Sequence, residues 1–155
     1  MIGNDVVDLA LAGKESNWKR KGFLQKIFTE KEQFQILNSE NPEVKVWELW
    51  SRKEAAYKIF NRNSGIRLFN PKQFECSGDR GLETVVFGNL SYFTHTIVDE
   101  SAIYTIAVER KSDFNSVIIL KNRDGIVKKK GIPSKNNRAV SISHHGCFEQ
   151  IISIL

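Results

Sequence analysis

The stretch from residue 43 to residue 60 constrains this chain most, because it predicts a long amphipathic helix with charges on the side that should be buried. On a helical wheel the apolar side chains share one broad arc, formed by Val46, Leu49, Trp50, Ala56, Tyr57 and Phe60. Lys53 falls inside this arc, Glu54 lies at its margin, and Lys58 follows one turn later along the same edge. A charge on a buried face is costly unless a partner or a metal compensates it. The pattern therefore indicates a functional site, the structural alternative being a snorkelling lysine beside a surface carboxylate.

The first nine residues predict a strand that would complement this helix. Side chains alternate along a strand, so Asp5 and Val7 point to one face while Asp8 points to the other. Asp5 and Asp8 therefore cannot both face one site if the strand runs straight. One carboxylate from a strand and one from a helix, such as Asp5 and Glu54, would suit magnesium, which prefers oxygen ligands and leaves positions for water and phosphates.

The remaining pattern predicts an α+β fold in which an antiparallel sheet packs against the long helix, as one domain over residues 1–155. Before the long helix, extended here to 43–61, we expect a strand at 2–9, a helix near 15–26, and a helix that begins at Thr29 with a capping box to Glu32. After it we expect strands at 66–69, 83–93 and 95–109, a hairpin of 115–121 with 125–128, and a final pair at 139–144 and 148–155.

Composition narrows the class of protein. Apolar residues make up 41% of the 155 residues, which is ordinary for a folded domain. The two cysteines, Cys76 and Cys147, form no disulfide framework and have no metal-ligand spacing. The first residues carry carboxylates instead of a signal peptide, and no apolar stretch approaches membrane-spanning length. These features predict a cytoplasmic protein without membrane contact.

Four short motifs, in order along the chain, resemble the 4'-phosphopantetheinyl transferase superfamily. They are Gly3-Asn-Asp-Val-Val-Asp8, Phe28-Thr-Glu-Lys-Glu32, Trp50-Ser-Arg-Lys-Glu-Ala-Ala-Tyr-Lys58, and Gly131-Ile-Pro133 followed by Val140-Ser-Ile-Ser-His-His-Gly146. The metal motifs come first and the Ser-His motif comes last, which is similar to the holo-acyl-carrier-protein synthase type. Members of that type are generally trimers with sites between protomers. The resemblance therefore implies a homotrimer in which Ser143 and His144 of one protomer face Asp5 and Glu54 of a neighbour.

The resemblance also implies a reaction and roles for residues. The reaction is magnesium-dependent transfer of 4'-phosphopantetheine from coenzyme A to a serine of an acyl or peptidyl carrier protein, as used in fatty acid or polyketide biosynthesis. Asp5 and Glu54 would hold Mg²⁺, and Glu54 would help to remove the serine proton. Lys58 and Lys53 would neutralise the diphosphate. The remaining implied contacts are from Ser143 and His144 to a phosphate of coenzyme A.

Positive charge is concentrated in two places. Residues 121–138 contain seven Lys and Arg residues against Asp124, although the net charge of the whole chain is only +5. A flexible basic loop beside a phosphate site would attract coenzyme A. The second cluster includes Lys19, Arg20 and Lys21, which we expect to dock an acidic carrier protein; a solvated surface is the structural alternative for both clusters.

Two other functions remain open at this point. A basic nucleic-acid-binding module would explain residues 121–138, together with aromatic residues such as Trp18 and Phe23, but not the carboxylates. The segment 110–138 is longer than the compact trimeric enzymes need and could alter or block trimer assembly, so a catalytically weak homologue is the other alternative. We favour the transferase and expect no nucleic acid as partner.

Overall fold

Two five-stranded antiparallel sheets and one long helix form the framework of the protein. The structure is a computed structural model, and it describes residues 1–78 and 83–155. The N-terminal sheet has the order β1-β5-β4-β3-β2, with β1 Ile2–Asp8, β2 Glu75–Ser77, β3 Glu83–Phe87, β4 Leu90–Val98 and β5 Ala102–Val108. The C-terminal sheet has the order β6-β10-β9-β8-β7, with β6 Val117–Leu120, β7 Val127–Lys129, β8 Ile132–Lys135, β9 Arg138–His145 and β10 Phe148–Ile154. The helices are α1 Leu9–Glu15, α2 Phe23–Ile27, α3 Glu30–Leu37 and α4 Pro42–Ser64, and 3-10 turns span Pro71–Gln73 and Lys111–Ser116. The predicted α+β class, an antiparallel sheet on a long helix, is confirmed.

Helix α4 begins and ends where local chemistry requires. The side chain of Asn41 accepts a hydrogen bond from Val44 N at 3.2 Å, and Pro42 occupies the first helical turn, where no backbone donor is needed. At the other end Gly65 adopts a left-handed conformation with φ of 71° and caps the helix through its N–H. The buried side of α4 packs on the N-terminal sheet, with Val46, Leu49, Ala56, Ile59 and Phe60 in the main core.

Strand β1 approaches α4 at backbone distance. A Cβ atom at Gly3 would lie 2.1 Å from the carbonyl oxygen of Ala55, so no larger residue fits there without a shift of the backbone. Beyond β1 the carboxylate of Asp8 caps α1 by accepting from Leu11 N at 3.0 Å. Asp8 therefore turns away from the side chain of Asp5, as alternation along the strand predicted.

Most predicted elements are present, and three predictions are wrong. The predicted helix at 15–26 is wrong over most of its length, because residues 16–22 are not helical. Helix α1 already ends at Glu15, and Gly22, with φ of 84°, precedes the start of α2 at Phe23. Residues 66–69 form no strand. The predicted hairpin of 115–121 with 125–128 does not exist, since β6 pairs with β10 and β7 pairs with β8. The capping box of Thr29 and Glu32 and the final β9–β10 pair are confirmed.

The C-terminal sheet packs against the outer edge of β1 instead of standing apart. Ile2 and Val108 of the N-terminal sheet form a small buried cluster with Ile152 of β10. Among the described residues, no helix is long and apolar enough to cross a membrane.

Candidate functional site

Asp5 and Glu54 lie together in a cleft of about 330 Å³ between β1, α4 and the end of β9, here called the carboxylate cleft. Its walls are mostly apolar, with Val7, Ala12, Phe23, Ile27, Trp47 and Trp50 among the lining residues. His144 and His145 lie on the side of the C-terminal sheet. The strand and the helix thus bring together the two carboxylates that the sequence pattern singled out.

The two carboxylates disturb each other's protonation. Burial, together with the nearby charge of Asp5, raises the pKa of Glu54 from 4.5 to about 7. Burial also raises the pKa of Asp5, although the charge of Lys58 and hydrogen bonds from Ser51 and Ser143 oppose that rise. Two carboxylates that are difficult to ionise in one cleft make a site that gains from a bound cation.

Lys58 joins this cleft to a second one. Its Nζ donates to the backbone oxygen of Asn4 at 2.6 Å and lies 3.9 Å from Oδ1 of Asp5. Burial lowers the pKa of Lys58, while the charges of Asp5 and Glu54 act in the opposite direction. Lys58 also lines the neighbouring pocket, so its ammonium group is available to a ligand on that side.

The neighbouring pocket has a volume of about 520 Å³ and is strongly basic. We call it the basic pocket, and its cationic lining residues are Lys58, Arg62, Arg67, Arg123, Lys128 and Lys130. No Asp or Glu is among the described residues that line it. Half of these cations come from α4 and the residues just after it, and half from the C-terminal sheet and its loops. Such a surface suits a ligand with several phosphate groups.

The Ser-His motif is divided between two roles. Ser143 faces β1, where its hydroxyl donates to Oδ1 of Asp5 at 3.1 Å and accepts from Val6 N at 3.1 Å. His144 points the other way, is exposed, and lines both the carboxylate cleft and the basic pocket. Phosphate binding thus remains a prediction for His144, whereas the Ser143 hydroxyl is already engaged by the protein. The resemblance implied contact between protomers, but here Ser143 and Asp5 of the same chain are in contact.

The prediction that Lys53 would neutralise a ligand is wrong. Its side chain is fully buried, and its Nζ donates to both carboxylate oxygens of Glu32 at 2.8 Å and to the backbone oxygens of Pro71 and Phe74. Glu32 also accepts from Cys76 N at 2.7 Å. Every polar atom of this pair has partners inside the protein, so Lys53 is a structural residue that joins α4 to α3 and β2.

The predicted carrier-docking cluster is exposed beside the carboxylate cleft. Lys19, Arg20 and Lys21 lie in the turn before α2. The guanidinium of Arg20 lies 5.6 Å from the ring centroid of Phe23, and Phe23 lines the cleft. A protein bound at this cluster would therefore be close to the two carboxylates.

The residues present fit magnesium bound together with a phosphate ligand. Mg²⁺ is commonly held by one or two carboxylates plus substrate phosphates. Asp5 and Glu54 provide two carboxylates, and the basic pocket next to them provides a place for phosphates. Among the described residues, no group of three or more His, Cys, Asp or Glu side chains forms a separate metal site.

Sequence analysis missed several residues of the two clefts. Arg62 follows Lys58 by one helical turn, and this spacing was a usable signal that the two cations share a face of α4. Arg67, by contrast, lies beyond the end of α4 and has no local pattern that marks it. His145 also belongs to the site region, since its Nε2 lies 3.0 Å from a carboxylate oxygen of Glu15.

Comparisons with known proteins identify the family and the fold. A family model described as the 4'-phosphopantetheinyl transferase superfamily matches residues 1–109. Among solved structures, holo-[acyl-carrier-protein] synthase from Neisseria meningitidis is similar, with 17% identity, a TM-score of 0.57, and coverage of 71% of this chain and 97% of that chain. The Helicobacter pylori enzyme in complex with coenzyme A has 15% identity and a TM-score of 0.56, over 71% of this chain and 100% of that one.

The enzyme from Thermotoga maritima covers 98% of this chain and 81% of its own, with 14% identity and a TM-score of 0.54. At these identities the structural likeness shows the fold. No curated protein matches the sequence.

Proposed function

The chain belongs to the 4'-phosphopantetheinyl transferase superfamily, and on that basis we propose that it transfers the 4'-phosphopantetheine group of coenzyme A to a serine of an acyl or peptidyl carrier protein. The observation that carries this proposal is the junction of the two clefts. Lys58 lines the basic pocket and lies 3.9 Å from Asp5, and His144 lines both clefts. A ligand whose phosphates occupy the basic pocket would thus present its diphosphate to the two carboxylates.

Coenzyme A suits the basic pocket because its nucleotide part carries a 3'-phosphate and a diphosphate. Lys58 and Arg62 would bind these groups from α4, and Lys128 and Lys130 would bind them from the C-terminal sheet. Arg123 lines the same pocket but is paired with Glu149. Cations that already surround the leaving 3',5'-ADP stabilise the charge that develops on it as the bond breaks. The concentration of these cations in a pocket next to carboxylates favours a small anionic ligand over a nucleic acid.

In the proposed reaction the hydroxyl oxygen of the carrier serine forms a bond to the phosphorus atom that bears the pantetheine. The bond between that phosphorus and the bridging oxygen of the diphosphate breaks, and 3',5'-ADP leaves. The serine proton passes to Glu54, directly or through a bound water.

We propose Asp5 and Glu54 as the residues that hold Mg²⁺. When bound, the cation neutralises diphosphate charge and polarises the reacting phosphoryl group. The apolar walls of the carboxylate cleft, which include Trp47 and Trp50, would limit access of water to the reacting atoms. The basic residues Lys19, Arg20 and Lys21 would orient the acidic carrier over this opening.

The test is mass spectrometry of purified apo-carrier proteins after incubation with the enzyme, coenzyme A and Mg²⁺. We expect the carrier to gain the mass of one 4'-phosphopantetheine group, with release of 3',5'-ADP. Glu54→Gln should reduce this transfer at least ~100-fold, because metal and acid-base contributions are each worth several kcal/mol. Glu43→Gln, on an exposed position of the same helix, is the matched control and should transfer normally. Equal rates for the two variants would contradict the assignment of Glu54, and no transfer to any carrier would contradict the function.

A further inference from the structure

Strand β1 is the edge strand of the N-terminal sheet, so one of its sides has no strand partner. The backbone groups of an exposed edge strand are a template for pairing with another chain. In this protein five groups on that outer side, three N–H groups and two carbonyl oxygens, are not free. They are bonded by side chains from elsewhere in the same chain.

The N–H groups on the outer side are bonded by a matching series of side chains from β9. Every second residue of β1 meets every second residue of β9: Asn4 N to Ser141 Oγ at 3.2 Å, Val6 N to Ser143 Oγ at 3.1 Å, and Asp8 N to His145 Nδ1 at 3.0 Å. The two serines are buried, which keeps water from competing for these amides. We call these three contacts the side-chain ladder. It is built from side chains and leaves the backbone of β9 free to pair with β8 and β10.

Helix α4 occupies the carbonyl groups on the same side. Lys58 Nζ donates to Asn4 O at 2.6 Å, and a guanidinium N–H of Arg62 donates to Ile2 O. The other arm of that guanidinium donates to Oγ of Ser141 at 3.2 Å, so Arg62 connects α4, β1 and β9. On the outer edge of β1, three donors and two acceptors are therefore bonded within the chain.

The C-terminal sheet is also held to β1 by contacts outside the ladder. The side-chain nitrogen Nδ2 of Asn4 donates to the backbone oxygen of Gln150 at 2.9 Å. Ile2 and Ile152 are both fully buried in the cluster between the sheets. This docking places His144 beside Asp5 and brings the cations of the C-terminal sheet to the basic pocket.

We infer that the side-chain ladder docks the chain's own C-terminal sheet on β1 and so completes the transfer site within a single chain. The catalytic unit is one copy, and no second copy contributes a residue to the site. That the completed site carries out transfer rests on the proposed function. The docking of the C-terminal sheet on β1 does not depend on that function. The partner that approaches the site is then the carrier protein alone.

The first experiment measures the molecular mass of the enzyme in solution and the activity of a mixture of two variants. Sedimentation equilibrium at the enzyme concentration of the assay should give a mass near 17.7 kDa. Glu54→Gln is then mixed with the double variant Lys128→Glu and Lys130→Glu, whose defect lies in the C-terminal sheet. Coenzyme A is kept well below the raised KM of the double variant, so that neither variant alone is appreciably active. A site within one chain predicts no recovery of activity, whereas a site shared between copies would restore roughly a quarter of the sites in a random mixture. Recovery in the mixture, or a stable oligomer at that concentration, would overturn the inference.

The second experiment follows amide hydrogen exchange in β1 and needs no activity. In the monomer the outward amides of Asn4, Val6 and Asp8 should exchange as slowly as their inward neighbours. Ser141→Ala should speed exchange at Asn4 about tenfold through loss of one buried hydrogen bond. Ser153→Ala is the matched control, because Ser153 is buried in β10 and bonds to Ala139 O within the C-terminal sheet.

Fast exchange of the outward amides in the wild-type protein would overturn the docking even if transfer is observed. A monomer with slow outward amides but no transfer to any carrier would support the docking and contradict only the proposed function. The two failures are thus distinguishable.

Discussion

Replacing Glu54 with glutamine should stabilise the metal-free protein at alkaline pH while it removes transfer activity. Glu54 lies in the same cleft as Asp5. Its burial and the negative charge of Asp5 together raise the pKa of Glu54 from 4.5 to about 7. Each pKa unit corresponds to about 1.4 kcal/mol, so ionising this group in the folded protein costs about 3 kcal/mol more than in the unfolded chain. Glutamine has nearly the same shape and cannot ionise.

The direction of the pH effect follows from the order of proton release. The unfolded chain loses the Glu54 proton near pH 4.5 and the folded protein loses it near pH 7. Between these values the folded state binds one proton more, so the free energy of unfolding falls as the pH rises. The contribution of Glu54 is complete below pH 4.5 and is lost once the pH has passed through about 7. The Glu54→Gln protein does not undergo this loss.

The assay is urea unfolding of both proteins with a chelator present, at about pH 5, pH 7 and pH 8.5. The difference in the free energy of unfolding should grow from about 1 kcal/mol or less at the lowest pH to about 3 kcal/mol at the highest. Added Mg²⁺ should narrow the gap at alkaline pH, because it binds the ionised wild-type carboxylates and stabilises the folded state. Glu43→Gln should follow the wild type throughout. A constant difference between Glu54→Gln and wild type at all three pH values would refute the argument that Glu54 is strained by ionisation.

Three further outcomes are expected. Lys53→Met should lower the free energy of unfolding by about 3–5 kcal/mol, because it leaves the buried carboxylate of Glu32 without its cation. The melting temperature reports this loss, while affinity for coenzyme A measured on the folded protein should not change. The double variant Lys128→Glu and Lys130→Glu should raise the KM for coenzyme A and weaken its salt dependence, since both residues line the basic pocket. Charge reversal across residues 19–21 should raise the KM for the carrier and leave the affinity for coenzyme A unchanged, as measured by carrier titration and calorimetry.

Matched variants separate these effects from general loss of charge. Lys45→Met removes a lysine of α4 whose partner is near the surface, and it should cost less than about 1 kcal/mol. Lys121→Glu changes an exposed residue outside the basic pocket, and Lys31→Glu does the same away from the docking cluster. If these controls behaved like the test variants, the roles assigned to the basic pocket and to residues 19–21 would be wrong. A weakened affinity for coenzyme A in folded Lys53→Met would likewise indicate that Lys53 does contact the ligand.

The grouping of Glu54 with Lys58 and the separation of Asp5 from Asp8 could be predicted from the sequence, because both depend on local periodicity. Glu54 and Lys58 are four residues apart in α4 and so lie on the same side of the helix. Asp5 and Asp8 are three residues apart in β1 and so point to opposite faces of the strand. Both relations are present in the structure. The same reasoning failed for Lys53, because a lysine on an apolar arc looks identical whether its partner is a ligand or Glu32. That partner lies on another helix, and only tertiary packing reveals it.

The C-terminal sheet was harder to predict for the same physical reason. The alternation of Ser141 and Ser143 along β9 indicates a shared face, but no local pattern says that this face meets the edge of β1. The incorrect hairpin at 115–128 arose because adjacent segments were assumed to pair. In the structure β6 pairs with β10, the last strand of the chain, and such distant pairing leaves no short-range signal.

The partners of β1 bear on the order in which the molecule assembles. The strand that carries Asp5 precedes β5 and β9 along the chain, yet it pairs with β5, and the backbone N–H of Asn4 bonds to Ser141, which lies 137 residues further on. Closing a loop of that length costs about 4 kcal/mol of chain entropy before any contact repays it. On a ribosome β1 has no strand partner until β5 has been synthesised, and its outer edge has no ladder partner until β9 has been synthesised. The helices and the β3–β4–β5 meander can form from local contacts meanwhile, so the strand with Asp5 joins late. An aggregation-prone state populated during refolding is therefore expected to be one in which β1 is undocked.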